Sequence, residues 1–299
     1  MTSQQTTQST NSLSQSDSIV RVMPETEMFD VMGGAARLEK RVLDHGFVAL
    51  VDCMPRLAPV GKTADFSIVQ SARVSYGEGT KQVNEDRGLV RYLLRHRHTT
   101  PFEMVEFKFY IKMPIFVARQ HFRHRTASIN EISARYSEVK DDYFMPEQYR
   151  SQSKINKQCS DGPIELDLTK QDDSCMQAFS VYHQLIESGC SRELARCHLP
   201  QSTYTEFYWK INLHNLLHYL QLRMAPDAQQ EIRDYANAIF KRIEPLLPLT
   251  MKAFLDFRVN AITLSGPEIA AIKTGANMST GEQRELDEKL KLLGLKEIC

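Results

Sequence analysis

The segment Val105-Glu106-Phe107-Lys108-Phe109-Tyr110-Ile111-Lys112-Met113-Pro114 decides how this chain folds. Its odd positions are apolar, whereas Glu106, Lys108 and Lys112 occupy even positions. Because successive side chains of a strand point to opposite faces, this period of two predicts a half-buried β-strand. Pro114 then suits the start of a helix over residues 115–122, because a helix makes no use of the missing N–H there. The sequence therefore predicts a strand that passes directly into a helix.

Residues 123–135 leave this helix as a dense run of polar side chains. The run reads Arg-His-Arg-Thr-Ala-Ser-Ile-Asn-Glu-Ile-Ser-Ala-Arg, with three arginines, a histidine, two serines, an asparagine and a glutamate. Arginine stays charged and offers a planar fork of donors that matches phosphate and imide or carboxylate edges. The run therefore predicts a site for a nucleotide-like, anionic ligand.

The sequence before this centre predicts helices and one buried strand. A helix is expected over residues 35–43 and an apolar strand over residues 47–51. Asp65 and Asn84 are expected to begin two further helices, each with apolar residues on one face.

The sequence after the centre predicts an extended segment, a polar surface loop over residues 147–173, and then mostly helices. Amphipathic helices are expected before Gly189, over residues 212–223 and over residues 227–242, with an aromatic strand over residues 204–211. Two capping boxes, Ser265 with Glu268 and Ser279 with Glu282, predict short helices near the C-terminus.

These elements predict an α+β fold, a single mixed domain with a central twisted sheet flanked by helices. We expect a polar, disordered extension over residues 1–41, the domain over residues 42–258 and a short helical extension over residues 259–299. Lys+Arg and Asp+Glu both total 37, so the field that attracts long nucleic acid is missing and no nucleic-acid partner is expected.

The cysteines and the hydropathy pattern set the expected compartment. The six cysteines form no CxxC and show no zinc-finger spacing with histidine, which favours reduced thiols in the cytoplasm. No segment is long and apolar enough to predict a membrane span, and no signal peptide is expected.

The basic region also resembles two other kinds of site. His96, His98, His121 and His124 suggest a metal site, but their near neighbours are arginines, whose charge repels cations, so no metal is expected. Interleaved arginines and aromatic residues suggest a nucleotide- or RNA-binding module, whose oligonucleotide affinity would fall steeply with salt. A neutral protein with one compact cluster suits a small phosphorylated ligand better.

The motif Arg123-His124-Arg125, followed after seven residues by Ser133, resembles the signature of the flavin-dependent thymidylate synthases. Further blocks resemble that family in the same order, at residues 43–47, 72–77, 98–103, 114–120, 192–196 and 220–223. The resemblance implies a homotetramer that methylates dUMP to dTMP. It also implies 5,10-methylenetetrahydrofolate as carbon donor, FAD reduced by NADPH as hydride source, and no enzyme cysteine nucleophile. A flavin reductase acting on another nucleotide remains an alternative.

The resemblance also implies which residues form the site, with residues of different subunits completing each one. Arg223 is expected to be catalytic, by stabilising negative charge on the uracil ring. The residues that resemble the dUMP-binding set are Gln120, His121, Phe122, Arg123, Glu131, Ile132, Ser133, Ala134, Arg135, Arg196 and Arg223. Those that resemble the FAD-binding set are Thr100, Arg123, His124, Arg125, Glu131, Asn212, Leu213, His214 and His218.

The chain also departs from the family pattern. His121 stands where family members often have tryptophan, and His214 and His218 stand where others carry arginine or asparagine.

Overall fold

The computed structural model describes residues 19–22, 40–76, 85–154 and 159–295. Its strands are β1 Ile19–Arg21, β2 Lys40–Val42, β3 Gly46–Met54, β4 Leu57–Pro59, β5 Glu106–Pro114, β6 Ser128–Glu131, β7 Tyr149–Gln152, β8 Ser160–Ile164 and β9 Tyr204–Asn212. Its α-helices are α1 Asp65–Arg73, α2 Asp86–Arg95, α3 Thr100–Glu103, α4 Ile115–His121, α5 Thr169–Glu187, α6 Arg192–Ala195, α7 Leu213–Arg223, α8 Gln230–Ile243, α9 Pro248–Phe254, α10 Gly266–Thr274 and α11 Thr280–Leu292. Short 3-10 turns follow α1, α6 and α8, and a π-helical turn, Leu255–Val259, follows α9.

A five-stranded antiparallel sheet in the order β2-β3-β5-β9-β6 forms the centre of the fold. Strands β5 and β9 pair along their whole length, from Glu106 opposite Asn212 to Pro114 opposite Tyr204. The mixed α and β fold with an antiparallel sheet is therefore confirmed. So is the central prediction, because β5 alternates in burial and passes directly into α4.

Helices cover one face of this sheet. Helices α4, α7 and α8 pack on it and on one another, over the side chains that the alternating strands direct inward. The large buried side chains of β5 and β9 include Phe107, Phe109, Phe207 and Trp209. On the other face, Tyr110 and Tyr208 lie side by side with ring centroids 4.9 Å apart. The two-residue period thus separates a helix-covered core face from a partly open one.

Gly46 permits the closest approach between the sheet and α8. A Cβ at this position would lie 1.9 Å from the hydroxyl of Tyr235 and 2.6 Å from the carbonyl oxygen of Val42. The Tyr235 hydroxyl donates to the carbonyl of Lys112 at 2.6 Å. Because any side chain would displace this hydroxyl, Gly46 is required where β3 enters the sheet.

The helix predicted over residues 35–43 is wrong where the structure describes it. Residues 40–42 form β2, which pairs with β3 so that Val42 faces Gly46. A three-residue turn joins the two strands, with Leu43 in the left-handed region at φ 61°. Pairing with β3 outweighs the local helix preference of this segment, whose first five residues lie outside the described ranges.

Two other expectations also need correction. The surface loop predicted over residues 147–173 contains the hairpin β7-β8 and the start of α5. Strand β8 is exposed along its whole length, so it carries no apolar period that could have revealed it. Helix α1 begins at Asp65, but Ala64 is the cap residue. The Asp65 carboxylate instead accepts from Leu249 N at 2.9 Å and from Thr250 N at 3.0 Å, at the start of α9. Asn84 lies outside the described residues.

The chain divides into two compact units, residues 1–253 and residues 254–299. In the second unit, the expected capping boxes of Ser265 with Glu268 and Ser279 with Glu282 both form. They begin α10 and α11, which pack through Ala271, Leu286 and Leu290. Strand β1 lies within the extension expected to be disordered and pairs with β4. None of the helices in the described ranges is long and apolar enough to cross a membrane.

Candidate functional site

The register of the sheet brings the ends of α4 and α7 together. Helix α4 follows β5, and α7 follows β9, at opposite ends of the same antiparallel pair. Helix α7 has eleven residues and therefore runs about 16 Å back along the sheet. Its last residue, Arg223, thereby reaches the turn that follows α4. Asn212 is the N-cap of α7, because its side chain accepts from Asn215 N at 3.0 Å.

The side chain of Arg223 is held by two contacts within the chain. Its Nε donates to Nε2 of His124 at 3.0 Å, and its Nη2 donates to the carbonyl oxygen of Gln120 at 3.4 Å. A guanidinium has five N–H donors, so with two of them engaged three remain, two on Nη1 and one on Nη2. Arg223 is only partly exposed. This arrangement fixes the guanidinium through Nε and one N–H of Nη2, with no hydrogen bond from its other N–H groups to the described residues.

A layer of aromatic and histidine side chains lies beneath this contact. Nδ1 of His121 lies 3.1 Å from the hydroxyl of Tyr219, and both residues are fully buried. The ring of Tyr219 meets that of His124 edge to face, with centroids 4.8 Å apart. We call Gln120, His121, His124, Tyr219 and Arg223 the Arg223 cluster. It joins the last turns of α4 and α7 into one polar unit.

Both histidines of the Arg223 cluster are neutral at neutral pH. Burial lowers the pKa of His124 to about 4, with further lowering from the charges of Arg223 and His218. Burial, His124 and Arg223 lower the pKa of His121 to about 3. A neutral His124 keeps a lone pair on Nε2, which is what the contact with Arg223 Nε needs.

A second group of site residues lines a cavity beside the edge strand β6. This cavity, which we call the β6 cavity, has a volume of about 450 Å³. It brings together Glu131, Ser133 and Arg196, although Arg196 is distant in sequence. Glu131 is fixed from below, because Oγ1 of the buried Thr205 donates to its Oε1 at 2.6 Å. Of the other residues expected to bind dUMP, Ile132 and Ala134 also line the cavity.

Arg196, which lines the β6 cavity, and the three arginines of residues 123–135 form no ion pair with the described residues. Arg123, Arg125 and Arg135 are exposed, as is Arg196. Among residues 19–22, 40–76, 85–154 and 159–295, no carboxylate forms an ion pair with any of these four. Arg135 lies over the ring of Tyr136 at 5.7 Å. Since exposed arginines are usually solvated, these residues form a binding site only if an anion occupies the space between them.

The residues that resemble a flavin-binding set lie around α7. Thr100 begins α3, which packs against α7, and His218 places its ring 6.1 Å from that of His124. His214 is half-buried, and Arg123 and Arg125 are exposed on the loop after α4. Flat imidazole rings beside unpaired guanidinium groups suit a planar ring system with an attached phosphate, so these residues fit a flavin nucleotide.

Some expected residues have buried side chains. His121 and Leu213 are fully buried, and Phe122 packs edge to face on Phe207 with centroids 4.8 Å apart. The family resemblance did not indicate Tyr219, Thr205 or Gln229, which hydrogen-bonds Gln120. Tyr219 could have been found from its spacing, since it lies four residues before Arg223 on the same helix face.

No group of three or more potential metal ligands occurs among the described histidine, cysteine, aspartate and glutamate residues. The fold and the candidate site together define an α+β protein with several arginines around the ends of α4 and α7 and beside β6. Comparison with known proteins narrows this class. A sequence model of the family described as thymidylate synthase complementing protein matches residues 56–249.

Relatives and a solved structure agree with that match. The flavin-dependent thymidylate synthase of Dictyostelium discoideum is 54% identical over 284 residues, covering 92% of this chain and 94% of the relative. The enzyme of that name from Thermus thermophilus is 53% identical over 234 residues, covering 78% and 84%. The UMP/dUMP methylase PolB from Streptomyces cacaoi, bound with 5-Br dUMP, has a TM-score of 0.63 at 33% identity and covers 74% of this chain and 99% of its own. The chain belongs to the thymidylate synthase complementing protein family, the flavin-dependent thymidylate synthases, as its motif predicted.

Proposed function

We propose that this chain catalyses the reductive methylation of dUMP to dTMP. In this proposal the carbon comes from 5,10-methylenetetrahydrofolate and the hydride from FAD that NADPH has reduced. The observation that carries the proposal is the Arg223 cluster, a guanidinium fixed by two contacts with three N–H donors left for a ligand. Family membership supplies the reaction class in which such a group has a use.

Arg223 supports the chemistry at the uracil ring. Carbon 5 of uracil becomes nucleophilic only when negative charge can develop on the ring. A fixed guanidinium that points two donors at the imide edge stabilises this charge without transferring a proton. Because Arg223 is already held by His124 and Gln120, little reorganisation is needed when the charge appears.

The β6 cavity supports binding of the phosphate end of dUMP. Arg196 lines the cavity, and Ser133 adds a hydroxyl that accepts from the backbone N of Arg135 at 3.3 Å. Neither the Arg196 nor the Arg135 guanidinium forms an ion pair with the described residues. Charge-assisted bonds from guanidinium to phosphate are among the strongest hydrogen bonds in proteins. Glu131, held by Thr205, limits where an anion can sit and accepts from sugar or base donors.

FAD would be held by Thr100, His214, His218 and the Arg123-His124-Arg125 run around α7. When bound and reduced, the flavin supplies the hydride that completes the methyl group. An enzyme thiol is not needed in this scheme. Burial raises the pKa of the Cys53 thiol to about 12, which is the opposite of activation. Among the described residues that line the β6 cavity there is no cysteine.

The proposal includes a homotetramer in the cytoplasm. All four residues of β6 are exposed, and Ile132 and Tyr136 are 58% and 78% exposed beside unpaired arginines. Such a surface supports completion of the site by a neighbouring subunit, because exposed apolar side chains rimmed by polar residues are typical of interaction sites. Free thiols at Cys53 and Cys175 support a reducing compartment. Mass measurement in solution tests the subunit number.

The function is tested with purified protein. We expect a yellow protein whose NADPH oxidation depends on dUMP and which forms dTMP once methylenetetrahydrofolate is added. A colourless protein that binds neither FAD nor dUMP would overturn the proposal. NADPH oxidation without dTMP would indicate a flavin reductase, and tight oligonucleotide binding that falls steeply with salt would indicate a nucleic-acid-binding module.

A further inference from the structure

We propose that His124 is the positioning residue for Arg223: its neutral imidazole accepts the Nε–H, and the buried Tyr219–His121 pair fixes the ring in the orientation that allows this. The proposal deepens the proposed function, because it assigns how the guanidinium that faces dUMP is oriented. It also gives roles to Tyr219 and His121 that the reaction itself does not require.

The contact geometry fixes which atoms are involved. Arg223 donates through Nε, the donor nearest the aliphatic chain, to Nε2 of His124 at 3.0 Å. Anchoring at Nε prevents rotation about the last side-chain bonds, so the Nη1 and Nη2 edge keeps one direction. Since Nε2 is the acceptor, the proton of the neutral ring lies on Nδ1. The orientation of Arg223 therefore depends on the orientation of this ring, together with the contact of Nη2 with the carbonyl oxygen of Gln120.

The ring of His124 is itself restrained on its buried side. Tyr219 contacts it edge to face at 4.8 Å, and the hydroxyl of Tyr219 is bound by Nδ1 of His121 at 3.1 Å. Tyr219 lies one helical turn before Arg223 on α7, and His121 lies almost one turn before His124 at the end of α4. Helix α7 thus contributes one buried and one outer residue to the stack, whereas the buried His121 ends α4 and His124 lies in the segment that follows it.

The buried polar atoms of this stack favour a functional explanation. Nε2 of His121 and Nε1 of the neighbouring Trp209 are buried and find no hydrogen-bond partner among the described residues. Unsatisfied buried polar groups destabilise a protein, and apolar residues of similar shape would remove that penalty. Polar atoms kept at such a position are expected where they serve a site. The low pKa of His124 agrees, because burial and the charges of Arg223 and His218 keep the acceptor unprotonated.

The test compares two substitutions of His124. The side-chain oxygen of His124→Gln can still accept from Arg223 Nε, whereas His124→Leu has no acceptor. We expect kcat for dTMP formation, measured per bound flavin, to fall about threefold in His124→Gln and about 100-fold in His124→Leu, as the loss of a hydrogen bond to a charged group predicts. Equal losses in the two variants would overturn the proposal.

Two further measurements separate positioning from structural damage. Arg223→Lys removes the Nε–H that His124 accepts. Adding His124→Leu to this variant should lower its kcat by less than about a further twofold, because the effects of two substitutions in one contact are not additive. A full additional loss would contradict the proposal. Tyr219→Phe, whose side chain is out of reach of a ligand, should lower kcat about fivefold with an unchanged KM for NADPH. If Tyr219→Phe had a normal kcat, the hydroxyl of Tyr219 would have no part in positioning Arg223.

A readout without catalysis distinguishes failure of this inference from failure of the proposed function. In protein labelled with ¹⁵N-arginine, the Nε–H of Arg223 should exchange slowly with solvent in the wild type and in His124→Gln. It should exchange fast in His124→Leu. If the Nε–H of Arg223 exchanges slowly in a wild-type protein that forms no dTMP, the proposed function is wrong but the contact between His124 and Arg223 is supported. Fast exchange in an active wild type would overturn the positioning role alone.

Discussion

The Arg223 cluster and the β6 cavity bind charge in opposite ways. In the cluster, one arginine makes two contacts with its own chain above a fully buried aromatic layer. Arg196 at the cavity, like Arg123, Arg125 and Arg135 in residues 123–135, is exposed and forms no ion pair with the described part of the chain. The first region is organised before a ligand arrives. In the second region, no carboxylate of the described residues fixes the guanidinium groups.

This difference matches what each region has to do in the proposed reaction. Stabilising charge that appears only in the transition state requires donors that are fixed in advance. Binding a phosphate that is charged from the outset tolerates flexible donors, since the anion itself orders them. The two regions should therefore respond differently to substitution: loss of rate in the cluster and loss of affinity at the cavity.

The largest effect is expected from Arg223→Ala. Removing the fixed guanidinium should lower kcat for dTMP formation by about 10²–10³-fold, the range seen when a group that stabilises developing charge is deleted. The flavin spectrum should remain. Stopped assays of dTMP and visible absorbance measure the two quantities.

The control for this substitution is Arg56→Ala. Arg56 is exposed and pairs with Asp52 at the far end of β3, so its removal should change kcat by less than about twofold. Near-normal turnover of Arg223→Ala would contradict the assignment of ring activation to the Arg223 cluster.

The central elements of this comparison can be predicted from the sequence, but their contacts cannot. Strand β5 could be predicted because its two-residue period is local, and the arginine motif placed the chain in its family. Strand β2 was mistaken for helix because its partner, not its composition, decides its conformation. The hairpin β7-β8 cannot be predicted in this way, because β8 is exposed along its whole length and β7 is only partly buried, so neither strand shows an apolar period of two.

The contacts of the candidate site are even harder to predict from local sequence patterns. Arg223 and His124 could each be named from motifs, yet their hydrogen bond joins residues 99 positions apart. That contact depends on the register of β5 with β9 and on the length of α7, which no local pattern contains. Thr205 could be placed on a strand, but not beneath Glu131.

A smaller effect is expected at the β6 cavity from Arg196→Ala. One charge-assisted hydrogen bond to phosphate contributes about 1.5–3 kcal/mol, so KM for dUMP should rise about 10–100-fold while kcat at saturation changes little. The difference from wild type should shrink as salt is added, because the cavity arginines are exposed.

Arg192 offers a matched control for Arg196. It lies one turn earlier in the same helical segment, but its guanidinium pairs with Glu138 at 3.3 Å and is 44% exposed. Arg192→Ala should change KM for dUMP by less than about twofold. If Arg196→Ala instead lowered kcat at saturating dUMP, it would be wrong that the Arg223 cluster determines the rate and the β6 cavity determines the affinity for dUMP.

The smallest effect concerns stability in acid and tests whether the cluster is as tightly organised as its contacts indicate. Burial lowers the pKa of His121 from 6.5 to about 3. Between these two pH values the unfolded chain therefore binds a proton at this histidine that the folded chain does not. Stability is then full above pH 6.5 and decreases as the pH falls, by up to about 1.4 kcal/mol per pH unit for this group. His121→Phe should make the slope of unfolding free energy against pH shallower between pH 6.5 and 4.5, as measured by urea unfolding.

His198→Gln, which removes an exposed histidine instead, is the control. An unchanged slope in His121→Phe would mean that His121 is protonated or solvated in the folded protein, and the cluster would then be as open as the cavity.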